Sequence, residues 1–253
     1  MSATRDAVHE RYRSAALRMA GQGSACCGGT DCCGPTAEED ACGADYTAEE
    51  LAQVGLDSSI SLGCGNPLLL AELHPGEVVL DLGSGGGLDV LLSARRVAPH
   101  GHAYGVDMTD EMLELANANR DKAGVTNATV LKGTIEQVPL PDDAVDVVIS
   151  NCVINLADDK GTVIREAFRV LKPGGRFAVS DMVELRPLPE AAKQDLELRA
   201  GCISGTIPVE DYRRLLVDAG FESPDIEITG EQGVQGLPGA IGSASIRARK
   251  PVR

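Results

Sequence analysis

Tryptophan is absent from this chain, and aromatic residues of all kinds make up only 3% of it. Single-stranded nucleic acids are usually held by stacking bases on aromatic side chains, so that mode is disfavoured. Positive charge is also scarce, with 23 Lys and Arg against 38 Asp and Glu, a net charge of −15. A nucleic-acid partner needs a basic face that releases counterions, and this balance argues against one. No apolar run approaches the roughly 20 residues of a membrane helix. Met1 to Arg13 is charged throughout, unlike a secretory signal. The expectation is a cytoplasmic, monomeric protein with reduced thiols, bound neither to nucleic acid nor to a membrane. Eight cysteines in that compartment favour metal, metalloid or redox chemistry over a disulfide framework. A length of 253 residues suits one α/β domain with attachments.

What is present is organised around Asp81 to Leu88. The apolar run Val78, Val79, Leu80 stops at Asp81, and glycines follow at 83, 85, 86 and 87. A helical pattern then begins, so the stretch reads as a buried strand, a tight turn and a helix N-terminus. The dinucleotide fingerprint Gly-x-Gly-x-x-Gly fails, because its third glycine position falls on Leu88. No Lys follows the glycines, so a P-loop is absent too. A carboxylate at Asp81 would repel a pyrophosphate and favour a cation. The loop resembles that of S-adenosylmethionine (SAM) methyltransferases, whose ligand is a sulfonium cation without phosphate. A second acid, Asp107, ends the next strand, where it can accept ribose hydroxyl protons.

Strands read at Val78–Leu82, His102–Asp107, Ala128–Lys132, Val145–Asn151 and Arg176–Asp181. Helices read at Asp6–Ala20, Leu88–Val97, Asp110–Ala123, Gly161–Leu171, Glu190–Ala200 and Val209–Ala219. A short one is expected over Tyr46–Val54. Asp225–Gly230 and Ser243–Lys250 suggest a closing antiparallel pair. Thr109 is expected to cap the second core helix, and Lys172-Pro173-Gly174-Gly175 to end the helix before it. The alternation predicts an α/β fold, a Rossmann-like, doubly wound, mostly parallel seven-stranded sheet. Its parts are an N-terminal helix with Cys-rich loops over 1–68, a nucleotide-binding core over 69–182, and a C-terminal substrate-covering insertion with the last elements of the sheet over 183–253.

The cysteines divide into two groups. Cys26, Cys27, Cys32, Cys33 and Cys42 lie in a small, polar stretch whose adjacent pairs are poor chelators of a tetrahedral zinc ion. Cys64 and Cys202 sit beside glycines, in segments able to fold over the crevice at the carboxyl ends of the strands. Cys152 directly follows Asn151 at the carboxyl end of the fourth strand, next to the switch point. Spacing alone leaves open whether these three converge on a soft centre or are unrelated.

The phrases L-G-C-G-N-P (62–67), V-L-D-L-G-S-G-G-G (79–87), G-V-D-M-T-D-E-M-L (105–113), I-S-N-C-V-I-N-L (149–156), R-V-L-K-P-G-G-R (169–176) and A-G-C (200–202) together resemble arsenite SAM methyltransferases. That resemblance implies As(III) bound by thiolates of Cys64, Cys152 and Cys202 in low-pKa surroundings. It also implies an N-terminal partner for Cys64, with Cys27 the best counterpart and Cys26 nearly as good. Arsenite or methylarsenite would be the substrate, and a thioredoxin- or glutathione-type reductant would restore the thiols. The resemblance places SAM on Asp81, Gly83, Ser84, Gly85 and Gly87, with Asp107 at the ribose and Met108 beside the adenine. Ile135 and Glu136 would meet the adenine edge, and Asn151 the methionine portion. The arsenic lone pair would displace the sulfonium methyl in line, so no general base is needed. A carbon methyltransferase of the quinone-biosynthesis type shares the glycine loop and Lys-Pro-Gly-Gly, and a metalloid-sequestering thiol protein is a further alternative.

Overall fold

The computed structural model describes residues 3–21, 46–56, 60–195, 198, 201–234 and 237–252. Cys26, Cys27, Cys32, Cys33 and Cys42 lie outside the described residues, as does most of the second half of the expected Glu190–Ala200 helix.

Four parallel strands build one half of the sheet: β1 (Val78–Leu82), β2 (His102–Asp107), β3 (Ala128–Lys132) and β4 (Val145–Asn151). Then come β5 (Leu171–Glu184) and the antiparallel pair β6 (Glu222–Val234) and β7 (Leu237–Arg249). The order across the sheet is β3-β2-β1-β4-β5-β7-β6. Strands β1 to β5 pair in parallel, and β7 is antiparallel to both β5 and β6. The order reverses between β1 and β4, which opens a crevice at their carboxyl ends.

The helices are α1 (Ala3–Gly21), α2 (Ala48–Val54), α3 (Pro67–Ala71), α4 (Leu88–Val97), α5 (Asp110–Ala123), α6 (Lys160–Val170), α7 (Glu190–Lys193) and α8 (Val209–Ala219). Alternate strand residues feed two cores, one on each face. Leu80, Val148 and Phe177 join Ile164 and Tyr212 on one face, while Val79, Ile149 and Ala178 join Leu68 and Leu91 on the other. Among the described residues no helix is long and apolar enough to cross a membrane.

Two local expectations change. The Lys-Pro-Gly-Gly turn does not separate helix from strand but lies inside β5 as a bulge. Between the pairs Val145↔Leu171 and Val147↔Arg176, two steps of β4 face five of β5. Gly174 takes φ +81° there, and Lys172 returns its ammonium to Asp146 at 2.8 Å. The strand therefore starts at Leu171 rather than Arg176. At the head of α5, Thr109 holds the N-cap position, but its hydroxyl makes no cap. The Asp107 carboxylate accepts the Thr109 N–H instead, at 2.8 Å.

Helix α1 lies across the mouth of the crevice. Arg13 pairs with Glu111 of α5 at 2.7 Å, and Arg5 with Glu136 at 2.9 Å. Half-exposed pairs of this kind contribute only about 0–1 kcal/mol each, so they orient the helix more than they anchor it. The anchor is apolar: Val8, Ala15 and Ala16 are buried beneath it.

Candidate active site

Beyond β1 the backbone turns through Gly83, Gly85 and Gly87, all at positive φ (+70°, +49° and +88°). Gly83 has a second constraint, because a Cβ there would lie 2.4 Å from Val153 Cγ1. The turn thus presses against the segment after β4, and a cleft with two lobes opens on either side of that contact. One lobe, of about 640 Å³, is lined by Asp107, Met108, Ile135 and Glu136. The other, of about 490 Å³, is lined by Asp81, Ser84, Gly85 and Asn151. Gly83, Val153 and Tyr12 of α1 border both lobes, so the two form one elongated groove roofed by α1. Gly87 borders neither lobe: it begins α4 and faces Ala116, 3.1 Å from where its Cβ would be.

The electrostatics of the groove suit a ligand with a cation at one end and hydroxyls at the other. Asp81 is 3% exposed, and no described residue donates a hydrogen bond to its carboxylate. Burial, then the charges of Asp89 and Asp107, hold its pKa well above the usual carboxylate range. A buried acid left this way is stabilised by an incoming ammonium or sulfonium. Asp107 is better served. Its Oδ2 accepts the Gly85 N–H at 3.0 Å and its Oδ1 the Thr109 N–H. Burial raises its pKa, and those amide bonds oppose the rise. Each of its oxygens retains a lone pair for a diol. Glu136 is engaged across the mouth of the first lobe by Arg5. The donor set therefore fits SAM, which carries a cation and a diol.

The thiols stand against the same groove. Cys152 directly follows β4 and Cys202 follows α7, and both take left-handed backbone, φ +59° and +63°. The Cys152 N–H bonds to Ser180 O at 2.8 Å, which fixes it to β5. Tyr12 packs in the same cluster as Cys202, and the Cys202 thiol donates to Cys152 O at 2.8 Å. Cys64 is bonded to Cys152 as a disulfide, with Cα atoms 5.8 Å apart. All three cysteines pack in one apolar cluster with Met182 and Leu188. Because Tyr12 and Val153 belong to this cluster and to both lobes, sulfur and groove share a wall.

Two features differ from the expected site. The thiol pair Cys64 and Cys152 is closed, and no group of three His, Cys, Asp or Glu among the described residues is set to hold a metal ion. A reduced pair is needed before three sulfurs can face one atom. Nor are the surroundings thiolate-forming. Burial, then the charge of Asp181, pushes the Cys202 thiol up to about 12, against weaker opposition from Arg11 and Tyr12. The cluster is apolar, and desolvation outweighs every nearby cation.

Tyr46, Asp89 and Tyr12 also line or support the groove, and the sequence reading gave them no part in it. Asn151, the residue before Cys152, bonds Cys64 N–H, Gly65 O and the Tyr46 hydroxyl. Tyr46 in turn donates to Asp89 Oδ1 at 2.7 Å. The Asp89 pKa is pushed up to about 6 by burial, with Tyr46 and Asn151 opposing. Tyr12 was legible only as one apolar position of an amphipathic helix.

Residues 73–220 match a methyltransferase domain. An arsenite methyltransferase of Halobacterium salinarum is 41% identical over 99% of this chain, and one of Aquipseudomonas alcaligenes 42% identical over 64%. The chain spans 67% of the length of the first and 48% of the second, so it is shorter than both. The crystal structure of an arsenic(III) SAM methyltransferase from Chlamydomonas reinhardtii superposes with a TM-score of 0.66 at 36% identity. That match covers 84% of this chain and 73% of the algal one. The chain belongs to the arsenite methyltransferases, on the class I SAM-dependent methyltransferase fold.

Proposed function

We propose that the chain transfers a methyl group from SAM to trivalent arsenic, supplied as arsenite or methylarsenite and held by sulfur of Cys64, Cys152 and Cys202. The observation that carries this reading is the meeting of these three cysteines at the wall of the groove. They come from a loop before α3, the end of β4 and the segment after α7, and a carbon substrate has no use for such a convergence.

SAM, when bound, supplies an electrophilic methyl on a sulfonium. Asp81 neutralises the cationic end, Asp107 takes the ribose, and Met108, Ile135 and Glu136 border the adenine lobe. Helix α1 excludes water through Val8 and Tyr12, which confines methyl transfer to a bound acceptor. The thiols need no base. Condensation of As(OH)3 with three S–H groups releases three waters, so the raised pKa of Cys202 does not prevent capture. Arsenic keeps a lone pair, and orientation toward the methyl is the main contribution of the fold.

The Cys64–Cys152 bond must first accept two electrons, which assigns a thioredoxin- or glutathione-type thiol reductant to turnover. Cys27, or Cys26, is the candidate N-terminal partner of Cys64 in that exchange. The test is incubation of the full chain with SAM, arsenite and a thiol reductant, followed by separation of arsenic species. Methylated arsenic is expected, and none at any reductant concentration refutes the reading.

A further inference from the structure

The side-chain amide of Asn151 is engaged by the loop that carries Cys64. Its Oδ1 accepts the Cys64 N–H at 3.0 Å, and its Nδ2 donates to Gly65 O at 2.6 Å and to the Tyr46 hydroxyl at 3.0 Å. Both amide protons and the carbonyl are therefore in use. The loop lies flat on this amide: a Cβ on Gly63 would sit 2.1 Å from Asn151 Cγ, so only glycine fits there. Tyr46 passes the contact on to Asp89 in the first turn of α4. The Cys64 loop is thereby tied to β4 and to the helix that follows the glycine turn.

Two adjacent residues thus hold the same loop by different means. Cys152 holds it covalently and reversibly, and Asn151 holds it by hydrogen bonds that do not depend on sulfur oxidation. Without the second hold, reduction would release a glycine-flanked loop into many conformations, and Cys64 would leave the neighbourhood of the other two sulfurs.

We propose that Asn151 is a positioning residue: its amide keeps Cys64 beside Cys152 in the dithiol state, so that the sulfur site is preformed when the disulfide opens. That the site takes trivalent arsenic rests on the reading above, whereas the clamp is measured without arsenic. The measurable quantity is the exchange equilibrium with glutathione. The protein disulfide and two glutathione thiols give Cys64–SH, Cys152–SH and glutathione disulfide, with two electrons and two protons passing from glutathione to the protein. A preformed geometry raises the effective concentration of one thiol at the other and favours closure.

The experiment equilibrates the full-length parent and its variants with glutathione buffers. It then alkylates the free thiols and quantifies the Cys64 and Cys152 peptides by mass spectrometry. Asn151→Ala should move the equilibrium toward the dithiol by roughly tenfold. Gly63→Ala should do the same while leaving residue 151 intact, because the new methyl displaces the amide. In the reduced parent, the Cys64 N–H should exchange with deuterium slowly, as a bonded amide does. The proposal is overturned if both folded variants keep the parental equilibrium. It is also overturned if the reduced parent exchanges that amide at an open-loop rate, or if Asn151→Ala loses SAM affinity without any change in thiol exchange. Failure of the arsenic reading shows separately, as absence of methylated arsenic, and leaves these readouts unaffected.

Discussion

Replacing Asp81 by Asn removes a charge while keeping the shape of the side chain, and the structure predicts opposite effects on the empty protein and on ligand binding. In the ligand-free protein the carboxylate is buried with no hydrogen-bond donor among the described residues and with Asp89 and Asp107 near it. Its proton is held to higher pH in the folded chain than in the unfolded one. Folded stability is therefore lost as pH rises from the ordinary carboxylate value of 3.8 through the raised one. Removing the ionisation should raise stability at pH 7 by about 1 kcal/mol, about 2–4 °C in Tm for a chain of this size. The gain should shrink as the pH approaches 4. With SAM the order reverses. A charge-assisted contact is worth about 1.5–3 kcal/mol, so the variant should bind SAM about 10- to 150-fold more weakly at neutral pH. Thermal melts and titration calorimetry between pH 4.5 and 8 read both effects. A SAM affinity within threefold of the parent would refute the pairing of this acid with the ligand's cation, whatever happens to Tm.

Gly83→Ala adds a methyl at positive φ against Val153, and should weaken SAM binding by roughly tenfold or more while lowering Tm. Adding Val153→Ala should recover part of both, and calorimetry on the double variant checks it. Cys152→Ser and Cys202→Ser should each abolish arsenite binding and all methylation, whereas Cys27→Ser should keep the step that begins from methylarsenite; chromatography of arsenic species separates these outcomes. Burial and a thiol pushed up to about 12 should make Cys202 inert to iodoacetamide from pH 6 to 9. Cys64 and Cys152 should alkylate only after reduction, so peptide mapping distinguishes the three.

The limits of β1 to β4 and of α4, α5 and α8 were legible because apolar runs there meet Gly, Pro, Asp, Asn or Thr at or near their ends. Local chemistry and tertiary packing agree in those segments. They diverge at Lys172 to Gly175, where residues that suit a turn bulge out between Leu171 and Arg176, both of which pair with β4. In the groove, Asp81, Gly83 and Asp107 were readable from spacing, since each sits at the end of a strand. The Asn151 clamp was not, because its partners are 86, 87 and 105 positions away. The unusual glycine at 63 was the only local trace of it. The thiol environment misled for a physical reason: sequence shows which charges are near in the chain, and the pKa of Cys202 is set chiefly by how thoroughly water is removed.

Cys152 and Cys202 both stand on left-handed backbone, which for a side-chain-bearing residue costs roughly 1–2 kcal/mol. Serine controls inherit that burden in full, while glycine would relieve it. An engineer optimising thermal endurance alone would thus be led to put glycine at both positions. The sturdier molecule so obtained would be a methyltransferase stripped of the sulfur proposed to seize its substrate.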